Sequence, residues 1–161
     1  MPGRHGTGSH WVITRRSSSA RLGHPYLFGN IPLCLDRGGS VTVTRVGFGE
    51  NLGDLNVDAF TLRSFHRPFD NDGVNLGEPI GLEGRALSVK HDVSQACQPE
   101  DSSRMEFAEL VLQVSRRTQK TAFGRGIVVT YLSDGVERRL GISLGIGLCA
   151  PADAPIESVC D

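Results

Sequence analysis

Residues 126–149 read GIVVTYLSDGVERRLGISLGIGLC, and this stretch contains the clearest strand pattern in the chain. Apolar side chains take every second position on both of its arms, as in strands with one buried face: Ile127, Val129 and Tyr131, then Leu140, Ile142, Leu144, Ile146 and Leu148. Between the arms, Ser133-Asp134-Gly135 supplies residues that accept the positive φ of a tight reversal. The stretch therefore predicts a β-hairpin that contributes to a hydrophobic core.

The rest of the chain continues this β pattern. Residues 40–46 alternate valine with threonine, residues 47–53 read as a loop, and residues 55–63 form the next strand. Residues 79–89 predict a weaker strand pair. Residues 105–114 fit a helix or a strand, and we favour the strand because everything after it is β. About seven short strands without a long amphipathic helix predict an all-β fold, an antiparallel immunoglobulin-like β-sandwich.

The charge is distributed unevenly along the chain. Residues 1–28 are predicted to form a disordered basic tail, and residues 29–161 to form the β-sandwich domain. Residues 1–30 carry four arginines and no acidic residue, so the net charge of −1 for the whole chain leaves −5 for the remainder. A mildly acidic domain without clustered cations is not expected to bind nucleic acid. No apolar run is long enough for a transmembrane segment.

The four cysteines, Cys34, Cys97, Cys149 and Cys160, include no closely spaced pair of the kind that zinc sites use. Disulfides are the favoured interpretation. Three connectivities are possible, and we prefer Cys34 with Cys149 and Cys97 with Cys160, since the first pair would tie the entry of the sandwich to its last strand. Disulfides predict an extracytoplasmic protein, either secreted or in the cell envelope. The N-terminus shows no apolar core of a signal peptide, so a cytoplasmic location is the alternative.

One loop resembles a metal site. Asp70-Asn71-Asp72-Gly73 has acidic spacing that could supply oxygen ligands to calcium. An EF-hand aligned on this glycine would have proline at both obligatory end positions, so a surface turn is the favoured interpretation. A metal carrier or sensor, for copper or calcium, would use His66, His91, Asp70 and Asp72, and this remains the alternative hypothesis.

Ser143 lies in a G-x-S-x-G sequence, which in α/β-hydrolases marks a nucleophile. That serine must stand at a sharp turn from strand to helix, whereas here it falls inside a continuous strand pattern, and no histidine follows His91. A hydrolase is therefore the least favoured hypothesis, and no enzymatic activity is predicted. The glycine-rich segments also lack the lysine and following helix of a phosphate-binding loop, so no cofactor is predicted.

Three glycines, Gly141, Gly145 and Gly147, share the face opposite the apolar residues of the second hairpin arm. Glycine weakens a strand, so three on one face predict that something approaches closely there. The chain's own N-terminal segment is the favoured candidate. The alternative is a surface on which a partner docks.

Four motifs carry a resemblance to a known group of proteins. They are Pro32-Leu33-Cys34-Leu35, Val41-Thr42-Val43, Phe60-Thr61-Leu62-Arg63 and Gly147-Leu148-Cys149. In these motifs, residues 30–161 resemble small exported actinobacterial β-domain proteins of uncharacterised function. The resemblance implies an extracytoplasmic β domain and no inherited activity. We therefore expect a non-enzymatic binding or structural module that recognises a protein or a cell-envelope component.

Overall fold

The computed structural model describes residues 20–67, 77–99 and 105–151. Within these ranges the chain forms seven strands and no helix: β1 (Tyr26–Leu33), β2 (Val41–Leu52), β3 (Leu55–Arg67), β4 (Asp92–Val93), β5 (Met105–Arg116), β6 (Ala122–Ser133) and β7 (Val136–Leu148). The strands form two antiparallel sheets, which confirms the predicted all-β fold with about seven strands. This described part of the chain accordingly has no helix that could span a bilayer.

The predicted hairpin is confirmed as β6 and β7. Ser133 pairs with Val136 across a two-residue turn. The turn residues Asp134 and Gly135 have φ of 51° and 74°. A type I′ reversal requires positive φ at both of these positions, and Asp-Gly is one of the sequences that adopt it most readily. The turn therefore fixes the pairing of the two strands as far as Ile127 and Ile142, beyond which the register shifts.

The main core lies between the two sheets, whose strand orders are β1-β5-β3 and β4-β2-β6-β7. Two irregularities in pairing keep apolar residues on the core side of their strands. In β1 the register shifts between Phe28 and Ile31, and in β2 it shifts just after Val43. Val46, which follows the second shift, is buried like Val43. Because an extra residue reverses the alternation, simple period-2 patterning fails at these two points.

A smaller apolar cluster covers the outer face of the three-stranded sheet. Leu27 and Val111 on that face pack with Leu82. The chain around Leu82 consists of turns, so the strand pair predicted for residues 79–89 is wrong. The Gln113 side-chain oxygen accepts a hydrogen bond from the Leu82 amide at 2.9 Å. This acceptor on β5 satisfies an amide that would otherwise need a partner in a ladder.

Two predicted boundaries also differ from the structure. β2 continues to Leu52, so the loop predicted for residues 47–53 is wrong. Gly47 and the residues after it pair with β6 through their backbone groups, which side-chain patterning does not detect. β1 begins at Tyr26, inside the predicted tail, because Tyr26 and Phe28 bury their rings in the core. Ala20, also inside the predicted tail, is buried in the core, and residues 1–19 lie outside the described residues.

The preferred disulfide pairing is wrong. Cys34 is bonded to Cys97, with their Cα atoms 4.9 Å apart. Cys34 therefore cannot pair with Cys149, nor Cys97 with Cys160. Cys149 is disulfide-bonded as well, and its partner lies outside the described residues, as Cys160 does.

A short parallel contact brings the first pair of cysteines together. Leu35 and Ala96 form an isolated β-bridge immediately beside them. The Leu35 amide donates to the Gln95 carbonyl, and the Cys97 amide donates to the Leu35 carbonyl, each at 2.8 Å. These backbone bonds join two segments that are far apart in sequence, so residue spacing alone did not indicate them.

Candidate functional site

A cavity of about 380 Å³ opens at the end of the sandwich where β1 ends and the β6–β7 turn lies. Its floor is the core-facing side of the four-stranded sheet, to which each strand contributes: Val93, Val43, Val129 and Leu140. Among the described residues, the three-stranded sheet contributes Leu33 alone, and residues 34–40 form the remaining wall. The cavity exists because a loop, and not a second sheet, faces the floor at this end.

Exposure along β7 shows where the covering sheet ends. Ile146 and Leu148, near the end of the strand, are buried in the core, as their alternation predicts. Leu140 belongs to the same inward series but is 44% exposed, whereas its cross-strand neighbour Val129 is 1% exposed. Leu140 is therefore an apolar side chain at the mouth of the cavity, where a ligand could cover it.

Charged side chains surround this apolar floor. Asp36 and Arg37 lie on the loop wall, while Asp134 and Arg138 come from the β6–β7 hairpin. All four are exposed. None of them forms an ion pair within the described residues. An apolar cavity with a few convergent polar groups is the usual form of a small-molecule site.

Two polar side chains stand directly opposite each other beside the floor. Tyr131 on β6 pairs with Arg138 on β7, and both line the cavity. Opposite residues on antiparallel strands have Cβ atoms about 5 Å apart, so a hydroxyl and a guanidinium can converge on one ligand atom. Neither side chain makes a hydrogen bond to any part of the chain that the structure describes. Both groups are thus available as donors.

The cavity wall is held by the disulfide. Cys34 lines the cavity and begins the loop that carries Asp36 and Arg37. Its bond to Cys97, together with the bridge between Leu35 and Ala96, fixes the start of this loop to the 95–97 segment. The apolar floor and the charged wall are therefore positioned by separate parts of the fold.

The predicted metal ligands are not brought together by the described structure. The His91 ring stacks on the Phe60 ring with centroids 4.5 Å apart. His66 lies six residues beyond Phe60 on β3, a distance of about 20 Å along an extended strand. Ligands bind a zinc or copper ion at about 2 Å, so one ion cannot bridge that span. Asp70 and Asp72 lie outside the described residues, within which no cluster of three metal-binding side chains occurs.

Ser143 lies in the middle of β7, a strand of 13 residues. The described chain has no helix, so the turn from strand to helix that a hydrolase nucleophile requires is not found around this serine. The geometry around Ser143 gives no support to a hydrolase.

The three glycines of the predicted docking face have different surroundings. A Cβ atom added to Gly145 would come within 2.9 Å of the Phe123 ring on β6, so an aromatic side chain of the neighbouring strand makes the close approach there. Gly147 is buried. Gly141 is exposed, and a Cβ atom added to it would have no neighbour within 4 Å. Of the three, Gly141 alone is open to a partner.

Sequence reasoning missed the roles of Tyr131 and Arg138. The sequence contains the signal for both residues. Arg138 lies two positions before Leu140, so it shares the inward face of β7, and the Asp-Gly turn places it opposite Tyr131. An arginine at an inward position of a hairpin indicates either an uncovered end of the sheet or protection of an edge strand. β7 is the edge of its sheet, so Arg138 can also hinder pairing with another chain.

The chain matches no known protein family, no curated protein and no solved structure.

Proposed function

We propose that this protein is a non-enzymatic, extracytoplasmic binding module whose ligand site is the cavity between its four-stranded sheet and the loop of residues 34–40. The observation that carries the proposal is a cavity in which Leu140 is exposed and Leu35 and Val41 are partly exposed, surrounded by charged groups that form no ion pair within the described residues. Leu140, Val41 and Leu35 would supply apolar contact, and the charged groups at the mouth would supply polar contact. Among the described residues that line the cavity, no arrangement of nucleophile and base supports catalysis.

The size of the cavity favours a cell-envelope component over a protein partner. Stable protein interfaces bury about 800 Å² on each side and are close to flat. A concave site of about 380 Å³ instead accepts one small molecule or one chain of a lipid. An envelope amphiphile fits this shape better than a folded partner does.

An oxidising compartment is supported by the disulfides. Cys34 is bonded to Cys97, and Cys149 is bonded as well. Structural disulfides form and persist mainly outside the reducing cytoplasm. This supports placing the protein in the cell envelope or outside the cell, where an envelope ligand would be available.

We also propose that the architecture is immunoglobulin-like in the general sense of two packed antiparallel sheets with three and four strands. The strand order differs from that of constant-type immunoglobulin domains, in which the first, second, fourth and fifth strands share one sheet. Here the first, third and fifth strands share the smaller sheet. The likeness is therefore one of layers and not of connectivity.

The proposal predicts where a short-chain envelope lipid binds. We expect dihexanoyl phosphatidylglycerol, added below its micelle concentration to isotope-labelled protein, to shift amide resonances of residues 34–43 and 129–140. Leu140→Trp should weaken this binding about tenfold, because the indole would fill the mouth and remove one apolar contact. The measurement is an NMR titration followed by amide chemical shifts.

Leu52→Trp is the matched control. Leu52 is also an exposed strand leucine, at 56% exposure, but it lies at the opposite end of the sandwich, where it pairs with Phe123. This variant should bind the lipid as the unmodified protein does. Shifts scattered over the surface, or an equal loss in both variants, would rule out the cavity as the binding site.

A further inference from the structure

We infer that the cavity takes an amphipathic anion, whose oxyanion is held by Tyr131 and Arg138 while its apolar body lies against Leu140, Val41 and Leu35. This inference rests on the proposed function and names the ligand class of the same site. It follows from the position of the two donors, which stand opposite each other where the apolar floor meets the mouth.

The hydrogen-bond donors of Tyr131 and Arg138 favour an anionic ligand. A guanidinium has only hydrogen-bond donors and keeps its positive charge, and a phenol hydroxyl can donate to the same oxygen. The two groups together match a carboxylate or a phosphate oxygen. Since neither group is bonded to a described residue, a ligand would not have to displace a partner within that part of the chain.

The apolar residues of the cavity favour a ligand that carries an alkyl chain. Val129 lies two residues from Tyr131 on β6, and Leu140 lies two residues from Arg138 on β7, both on the cavity side. The valines of the floor are already buried, so an alkyl chain extending from the bound oxyanion would lie against Leu140 and the partly exposed Val41 and Leu35. A fully polar anion would leave these side chains uncovered.

The acidic residues do not cancel this preference. Asp134 stands in the hairpin turn and Asp36 in the loop wall beside Arg37, and all three side chains are exposed. Tyr131 and Arg138 belong to the paired strands, directly beside the floor. A bound oxyanion would thus meet the two donors, while the carboxylates remain in solvent, where their repulsion is screened.

The chain offers a close control for the charge. Arg139 follows Arg138 on the same strand and is also exposed, but it pairs with Thr130 and points to the opposite face of the sheet. Arg138→Gln and Arg139→Gln change the net charge equally. Only the first substitution alters the cavity.

The experiment compares decanoate with decanol, two ligands with the same chain and different head groups, by calorimetric titration below the micelle concentration of each. We expect decanoate to bind more tightly than decanol. Arg138→Gln should lower the affinity for decanoate about tenfold, and Tyr131→Phe should lower it about fivefold, because each substitution removes one hydrogen-bond donor. Neither variant should change the affinity for decanol, and Arg139→Gln should change neither affinity.

The outcomes separate the ligand class from the proposed function. Equal affinity for decanoate and decanol at the cavity, or an equal loss in the two arginine variants, overturns the anion preference and leaves the binding module intact. Tighter binding of decyltrimethylammonium than of decanoate overturns it as well. Failure of all three ligands and of the phosphatidylglycerol probe to bind overturns both.

Discussion

Replacing Glu109 by glutamine is expected to lower the free energy of unfolding by about 3 kcal/mol, measured by urea denaturation. Glu109 is fully buried, and its carboxylate accepts one hydrogen bond from the Asn30 amide at 2.8 Å and another from the Arg63 guanidinium. Removing the negative charge would leave the Arg63 cation without this counter-ion. The side chain of Arg63 is 19% exposed, so water partly solvates the charge that is left without its partner. The expected loss of stability therefore lies at the lower end of the values for broken buried ion pairs.

An exposed ion pair in the same fold supplies the control. Glu50 lies 3.6 Å from Arg125, and both side chains are at least half exposed. Pairs of this kind contribute about 0–1 kcal/mol, so Glu50→Gln should change stability by no more than that. If Glu109→Gln were as mild as Glu50→Gln, the Glu109 carboxylate would not be a stabilising element of the core.

The Glu109 pair also affects the shape of the candidate site. Asn30 has a φ of 59° and lies where the register of β1 shifts. A non-glycine residue in the left-handed region needs support from its surroundings. By accepting the Asn30 amide hydrogen bond, Glu109 supports the irregular segment that leads to Leu33 and then to the wall of the cavity. We therefore expect Glu109→Gln to weaken ligand binding as well as stability.

The strands that sequence reasoning identified correctly are those in which local patterning and burial agree. The β6–β7 hairpin combines sustained alternation with an Asp-Gly turn, and β3, predicted for residues 55–63, buries Leu62 in the core. The predictions are wrong where the side-chain pattern does not reflect the backbone pairing of the segment. β2 continues through glycines, and residues 79–89 are apolar because they pack on the outer face of the other sheet.

The candidate site was less accessible to prediction than the fold. Its parts come from β1, the loop after it, β2, β4 and the hairpin, and their meeting depends on where the three-stranded sheet stops covering the floor. Burial of Glu109 and Arg116, two charged residues in a central strand, was equally hidden. The two terminal nitrogens of Arg116 donate to the carbonyls of Ala20, Thr118 and Lys120, which are partners that no local pattern identifies.

The disulfide between Cys34 and Cys97 gives the largest expected effect on stability. The two cysteines are 63 residues apart in sequence, and closing a loop of that length restricts the unfolded chain by about 4 kcal/mol in the chain-entropy account. Replacing both cysteines by serine should lower the free energy of unfolding by that amount, measured by urea denaturation. Both cysteines are exposed, so serine leaves no cavity and the loss reports the cross-link itself.

The same substitution tests whether the disulfide shapes the cavity. Without the cross-link, the loop that carries Asp36 and Arg37 would be tied to the 95–97 segment only by the bridge at Leu35, and ligand affinity should fall along with stability. Reductant should destabilise the unmodified protein at least as much as the double substitution does, because Cys149 is also disulfide-bonded. If the double variant loses less than about 1 kcal/mol of unfolding free energy, the unfolded chain is already compact between these cysteines. The cross-link would then restrict an ensemble that has little conformational freedom to lose.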